Sequence, residues 1–98
     1  MTYSYDRMAS VTLDEHTIEE VRRLTQGNNH AEANIVAAKA IGAKKLVKKF
    51  ELVLKLQELE GHTPVALGQY RYALHMELQA LAKRALSDEQ FDQLIRIL

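Results

Sequence analysis

A chain of 98 residues, 47% hydrophobic and 27% charged, is long enough to bury one core and too apolar to remain unfolded, so a single domain over residues 1–98 is expected. The formal net charge of +0 removes any global electrostatic pull toward nucleic acid, and the absence of cysteine excludes disulfides, thiolate metal sites and a cysteine nucleophile. No apolar run reaches the length of a signal sequence or a membrane span, which makes a cytoplasmic protein with no membrane partner the expectation.

Residues 1–10 carry Tyr3, Tyr5, Asp6 and Arg7 and read as an arm that is flexible or folded over the domain. Thr12-Leu13-Asp14-Glu15 has the form of a capping box, and Ile18, Val21 and Leu24 then share one helix face, which predicts a first helix near 13–26 ended by Gly27-Asn28-Asn29. Asn29 is the natural cap of a second helix. Val36, Ala40, Ala43, Val47, Phe50 and Leu54 repeat at spacings of four and three straight through Gly42, which predicts one helix of about 30–60. Leu46, Leu52, Val53, Leu56 and Leu59 add apolar groups on its other faces, a pattern that calls for cover by a second chain.

Gly61-His62-Thr63-Pro64 punctuates the chain with a helix-ending glycine, a threonine cap and a proline at the first helical position. A helix of about 64–86 follows, with Leu67, Leu74, Leu78, Leu81 and Ala85 on one seam interrupted by Arg71, and the short turn implies an antiparallel hairpin with the preceding helix. Ser87-Asp88-Glu89-Gln90 is a further capping box, opening a last short helix whose stripe is Phe91, Leu94, Ile95 and Leu98. The fold class is therefore mainly α: a small helical bundle built on the 30–60 and 64–86 hairpin, with short flanking helices and a short strand allowed for at the amino end.

No sequence signature of catalysis is present. His16, His30, His62 and His75 form no pair at metal-ligand spacing, no glycine-rich phosphate loop or nucleophile elbow occurs, and the paired carboxylates sit at helix starts, where the helix dipole accounts for them. No enzyme activity, cofactor or metal is expected. The leading expectation is a non-enzymatic regulatory or adaptor protein that binds a protein partner and forms a homodimer, with Tyr70, Arg71, Tyr72, Phe91, Ile95 and Leu98 as interface candidates, because half-exposed tyrosine, arginine and large apolar groups anchor interfaces.

The segment Met8-Ala9-Ser10-Val11-Thr12-Leu13-Asp14-Glu15, followed by Ile18, Val21 and Leu24, resembles the start of ribbon-helix-helix DNA-binding proteins, and the resemblance spans about residues 7–41. It implies a dimeric repressor in which Ala9, Val11 and Leu13 face the dimer core. Met8, Ser10 and Thr12 would then face the major groove, and the turn at Gly27 and Asn29 would hold a phosphate. Lys44, Lys45 and Lys48 are the basic groups that would join such a DNA contact, or else form a solvated helix face. Nucleic acid thus stands as the alternative partner to protein.

Overall fold

The computed structural model describes residues 11–98, which form five helices: α1 Glu15–Gln26, α2 His30–Ala40, α3 Lys44–Glu60, α4 Val65–Ala85 and α5 Asp88–Ile97. The mainly α class and the bundle are as the sequence implies. No strand occurs among the described residues. Residues 8–10, part of the expected amino-terminal strand, lie outside them, as does the whole of the arm over residues 1–10.

α2 is the centre of the molecule. Alanine is the best helix former, and the small side chains of Ala31, Ala33, Ala37 and Ala38 are all buried, which lets neighbouring helices approach closely. α1 and α3 pack on either side of it, α4 lies across both α2 and α3, and α5 bridges α1 and α4. The core is completed by Ile18 and Val21 of α1, Leu46, Phe50 and Val53 of α3, Leu74, Leu78 and Ala82 of α4, and Leu94 of α5.

The single helix expected over 30–60 is two helices. After Ala40 the chain closes a Schellman motif: Gly42 N–H donates to Lys39 O at 3.1 Å and Ala43 N–H to Ala38 O at 2.9 Å, with Gly42 in the left-handed region at φ 77. The spacing of apolar residues stays in phase through Gly42 because α2 and α3 each present a periodic buried face, but the faces belong to separate rods. Their partners also differ from the expected seam, since Leu46, Phe50 and Val53 form the deepest row of α3 while Val47 and Leu54 flank it. The same device ends α1, where Asn28 (φ 63) takes the left-handed position and the N–H groups of Asn28 and Asn29 donate to Thr25 O and Leu24 O. The hairpin proper is therefore α3 and α4, joined through Gly61, which ends α3 at φ 75.

Two caps differ from expectation. α1 is capped by Asp14, not Thr12: the Asp14 carboxylate accepts from Thr17 N–H at 2.7 Å, and this bond holds its pKa below 3.8. The start moves because the main chain of Leu13 is held elsewhere. Its N–H donates to Gln90 Oε1 at 2.9 Å and its carbonyl accepts from Gln90 Nε2 at 2.8 Å, while Val11 N–H donates to Ala85 O. α4 begins at Val65 with Pro64 as its cap residue, and the Thr63 hydroxyl accepts from Gln57 Nε2. Ser87 caps α5 as the sequence implies, accepting from Gln90 N–H, but the Gln90 side chain clasps Leu13 in place of reaching back to the cap.

Two outcomes test this architecture. Gly42→Ala has open space for its methyl group and so meets only the backbone cost of a left-handed residue; we expect a loss of about 1 kcal/mol in urea denaturation, with Gly42→Asn losing less. A gain in stability on Gly42→Ala would mean that α2 and α3 are continuous. Gln90→Ala removes both clasps on Leu13, and we expect a loss of about 1–3 kcal/mol together with faster amide exchange at Leu13.

Candidate functional site

The α3–α4 hairpin carries more exposed apolar surface than its own packing explains. On α3, Leu52 (50% exposed), Leu56 and Leu59 (73%) recur at spacings of four and three, so they form one stripe on the side opposite Phe50. On α4, Val65, Tyr72 (64%) and Met76 form a second outward stripe, and Tyr70 is exposed on a different face of the helix. Leu52, Leu56, Leu59, Val65 and Met76 are not among the six interface candidates read from sequence; the excess of apolar residues around residues 46–59 was the signal for the α3 part of this surface.

Charge is graded along α3. Lys44, Lys45, Lys48 and Lys49 are all exposed in its first turns, whereas Glu51 stands near its middle and Glu58 and Glu60 fall in the second half with Lys55. No side-chain cap closes the amino end of α3, and none of the four lysines forms an ion pair among the described residues.

A polar cleft of about 180 Å³ lies between α2 and α4 near the end of α5, lined by His30, Asn34, Arg71, Tyr72, His75 and Leu98. Its floor is a hydrogen-bonded chain. Asn34, the one buried polar side chain among the described residues, donates from Nδ2 to the His30 carbonyl at 2.7 Å. Its Oδ1 can only accept, so His75 Nδ1, at 2.8 Å, is the protonated nitrogen. His75 Nε2 then accepts from Gln79 Nε2 at 2.9 Å. Both ring nitrogens are satisfied only in the neutral tautomer. Burial first, then the charges of Arg71 and His30, lower the His75 pKa from 6.5 in the same direction. The Tyr72 ring stacks beside the imidazole at 6.4 Å between centroids.

The six interface candidates read from sequence fall into two groups. Arg71 and Tyr72 line the cleft on α4, and Tyr70 is exposed on a different face of that helix. Phe91 and Leu98 are half-buried and pack on the core, so much of their apolar surface is already covered within the chain, and Ile95 is half-buried beside them. Of the DNA-contact candidates, Met8 and Ser10 lie outside the described residues, Thr12 is exposed, and Asn29 stands at the start of α2 with no side-chain capping bond. Lys44, Lys45 and Lys48 are exposed on α3. The structure does not bring the lysines together with Asn29 in one pocket.

Among the described residues no three His, Asp or Glu side chains gather as a metal site needs, and no helix is long and apolar enough to cross a membrane. Comparison with known proteins gives no match to a family model, to a curated protein or to a solved structure.

The His75 chain has a pH signature. A histidine whose folded pKa lies below its unfolded value binds its proton more readily in the unfolded chain. The stability from the neutral ring is therefore complete above about pH 6.5 and is lost as pH falls through the folded pKa. We expect NMR titration to place His75 below 6.5, and His75→Gln to flatten the acid side of the stability profile. A His75 pKa at or above 6.5 would contradict the neutral hydrogen-bonded chain.

Proposed function

We propose that this chain is a non-enzymatic, self-associating helical module that binds other proteins, acting in the cytoplasm as a regulator or adaptor. The observation that carries this reading is the exposed leucine stripe of α3. Three large apolar groups on one helix face, in a chain whose core is otherwise well covered, are costly to leave in water and are stabilised when a second surface removes them from it.

A second copy of the chain suits this face because α3 is complementary to itself when antiparallel. A two-fold axis near Leu52 sets Leu52 against its own copy and brings Leu56 and Leu59 over the methylene stems of the partner's Lys48 and Lys45. The same geometry keeps each flank of the helix on one side, so Glu60 approaches the partner's Lys45, Glu58 approaches the partner's Lys44 and Glu51 approaches the partner's Lys55. The positive first half of one helix thus meets the acidic second half of the other, and the helix dipoles are antiparallel. A parallel pairing would instead stack four lysines on four. One helix face is a small interface, so a weak, concentration-dependent dimer is expected. It leaves Tyr72 and Met76 of α4 open, and that stripe is where a protein partner of the pair would dock.

Sedimentation across a concentration series tests this. Leu56→Asp is expected to hold the protein monomeric with its helical circular dichroism unchanged, since Leu56 is exposed in the folded chain. Lys45→Glu and Glu60→Lys are each expected to weaken the dimer, and the two together to restore it. A wild type that stays monomeric at every concentration, or a double variant no better than the singles, would overturn the antiparallel pairing.

A further inference from the structure

The cleft between α2 and α4 has features that neither core packing nor the α3 surface requires. Arg71 occupies a seam position of α4, in line with Leu67, Leu74 and Leu78, and lines the cleft. It is half-buried there, and among the described residues no carboxylate forms an ion pair with it. Arg71 and His30 line both this cleft and the adjoining one that continues past Asn29, Leu54 and Gln57. The main cleft is lined by two histidines and an arginine and by no acidic side chain, while Glu32 lines only the adjoining cleft.

A part-buried asparagine–histidine–glutamine chain is a costly way to fill space in a small helical bundle, because each polar group withdrawn from water must be matched. Here the chain fixes the wall of the cleft. His75 spends both ring nitrogens on Asn34 and Gln79, so it acts as a positioning residue, which leaves Arg71 and the His30 ring as the groups with free N–H donors. A guanidinium offers two parallel N–H groups in a plane, the arrangement that matches two oxygens of one oxyanion.

We propose that the cleft between α2 and α4 is a receptor for a small oxyanion, a carboxylate or a phosphate group, held by the guanidinium of Arg71 with His30 beside it. The volume of about 180 Å³ admits such a group with room to spare, so the anion is either a free small ion or part of a larger molecule. An anion there would neutralise the charges that oppose protonation of His75. Bound anion and His75 proton uptake are therefore coupled: the groups facing the ring are His30 on α2 and Arg71 and Tyr72 on α4, and the two cationic ones are those the anion would occupy.

The test is an NMR titration of the full chain with inorganic phosphate and, separately, with acetate. Saturable amide shifts centred on His30, Asn34, Arg71 and His75, and a rise of the His75 pKa on saturation, are expected. Arg71→Gln should weaken binding at least tenfold, and Arg71→Lys, which keeps the charge and the stem but loses the fork, should fall between it and the wild type. Circular dichroism melts of both variants separate loss of binding from loss of fold. Tighter binding of phosphate assigns a tetrahedral anion, and tighter binding of acetate assigns a carboxylate such as an acidic peptide group. Shifts that do not saturate, that centre on Lys44–Lys49, or that survive Arg71→Gln unchanged would overturn the assignment, as would a His75 pKa indifferent to anion.

Discussion

The need to surround α2 governs the rest of this structure. That helix is short, alanine-rich and buried along most of its length, and it can be so only because its neighbours are held tightly against it by turns of minimal length. The two Schellman motifs at Asn28 and Gly42 do this work, reversing the chain on each side of α2 so that α1 and α3 lie against it. Covering α2 does not need the whole of the other helices. At about 1.5 Å per residue, the 11 residues of α2 span roughly 17 Å, whereas the 17 of α3 and 21 of α4 span roughly 26 and 32 Å. The hairpin therefore overruns the core, and the molecule is elongated, 47 Å by 28 Å by 17 Å. Part of the exposed surface is the consequence: α4 buries Leu74, Leu78 and Ala82, while Val65 and Leu59, beside the turn between α3 and α4, lie on the overrun.

Polar side chains fasten what apolar burial alone would leave loose. Gln90 replaces a strand partner for the main chain of Leu13 and so ties the segment before α1 to the start of α5, closing the bundle across 77 residues of sequence. Asn34 does the same between α2 and α4 through His75, at a separation of 41 residues. Both links are directional, which hydrophobic contact is not, and both set the rotation of one helix about its axis against another. The second also places Arg71 and His30 on a common cleft, so the element that orients α4 is the one that builds the polar site.

Much of this was legible in the sequence. Glycine and proline near 61–64, the Ser87 cap and the apolar rows of α1 and α4 located three of the five helices to within a few residues, along with the start of α2 and the end of α3. The break at Gly42 was missed because seven-residue periodicity is indifferent to a turn of this length: Ala40 and Ala43 stayed in phase on either side of a left-handed residue. The Asp14 cap was displaced from Thr12 by a clasp from Gln90, a contact between distant residues that no local pattern records. The cleft was invisible for the same reason. Asn34 reads as an ordinary helical residue, His75 as a surface histidine and Arg71 as an interruption of a seam, and only the crossing of α2 and α4 makes them neighbours. The surplus of leucines on α3 was readable, but not which of them the fold would cover.

The central claim is that the uncovered face of α3 meets its own copy antiparallel about Leu52, and spin-label distances test it most directly. The chain has no cysteine, so single labels at Lys48→Cys, Glu51→Cys, Lys55→Cys and Glu58→Cys report one site each. The separation between copies along the helix axis grows by about 3 Å for every residue away from the two-fold axis. Residues 48 and 55 point toward the partner and 51 and 58 away from it, so the account predicts short distances at 48 and 55, a distance at 51 well below that at 58, and the longest at 58, where axial offset and outward direction add. Equal distances at 51 and 58, which point the same way around the helix, would mean a parallel pair, and no intermolecular distance at any of the four would mean that this face is not where the protein meets itself.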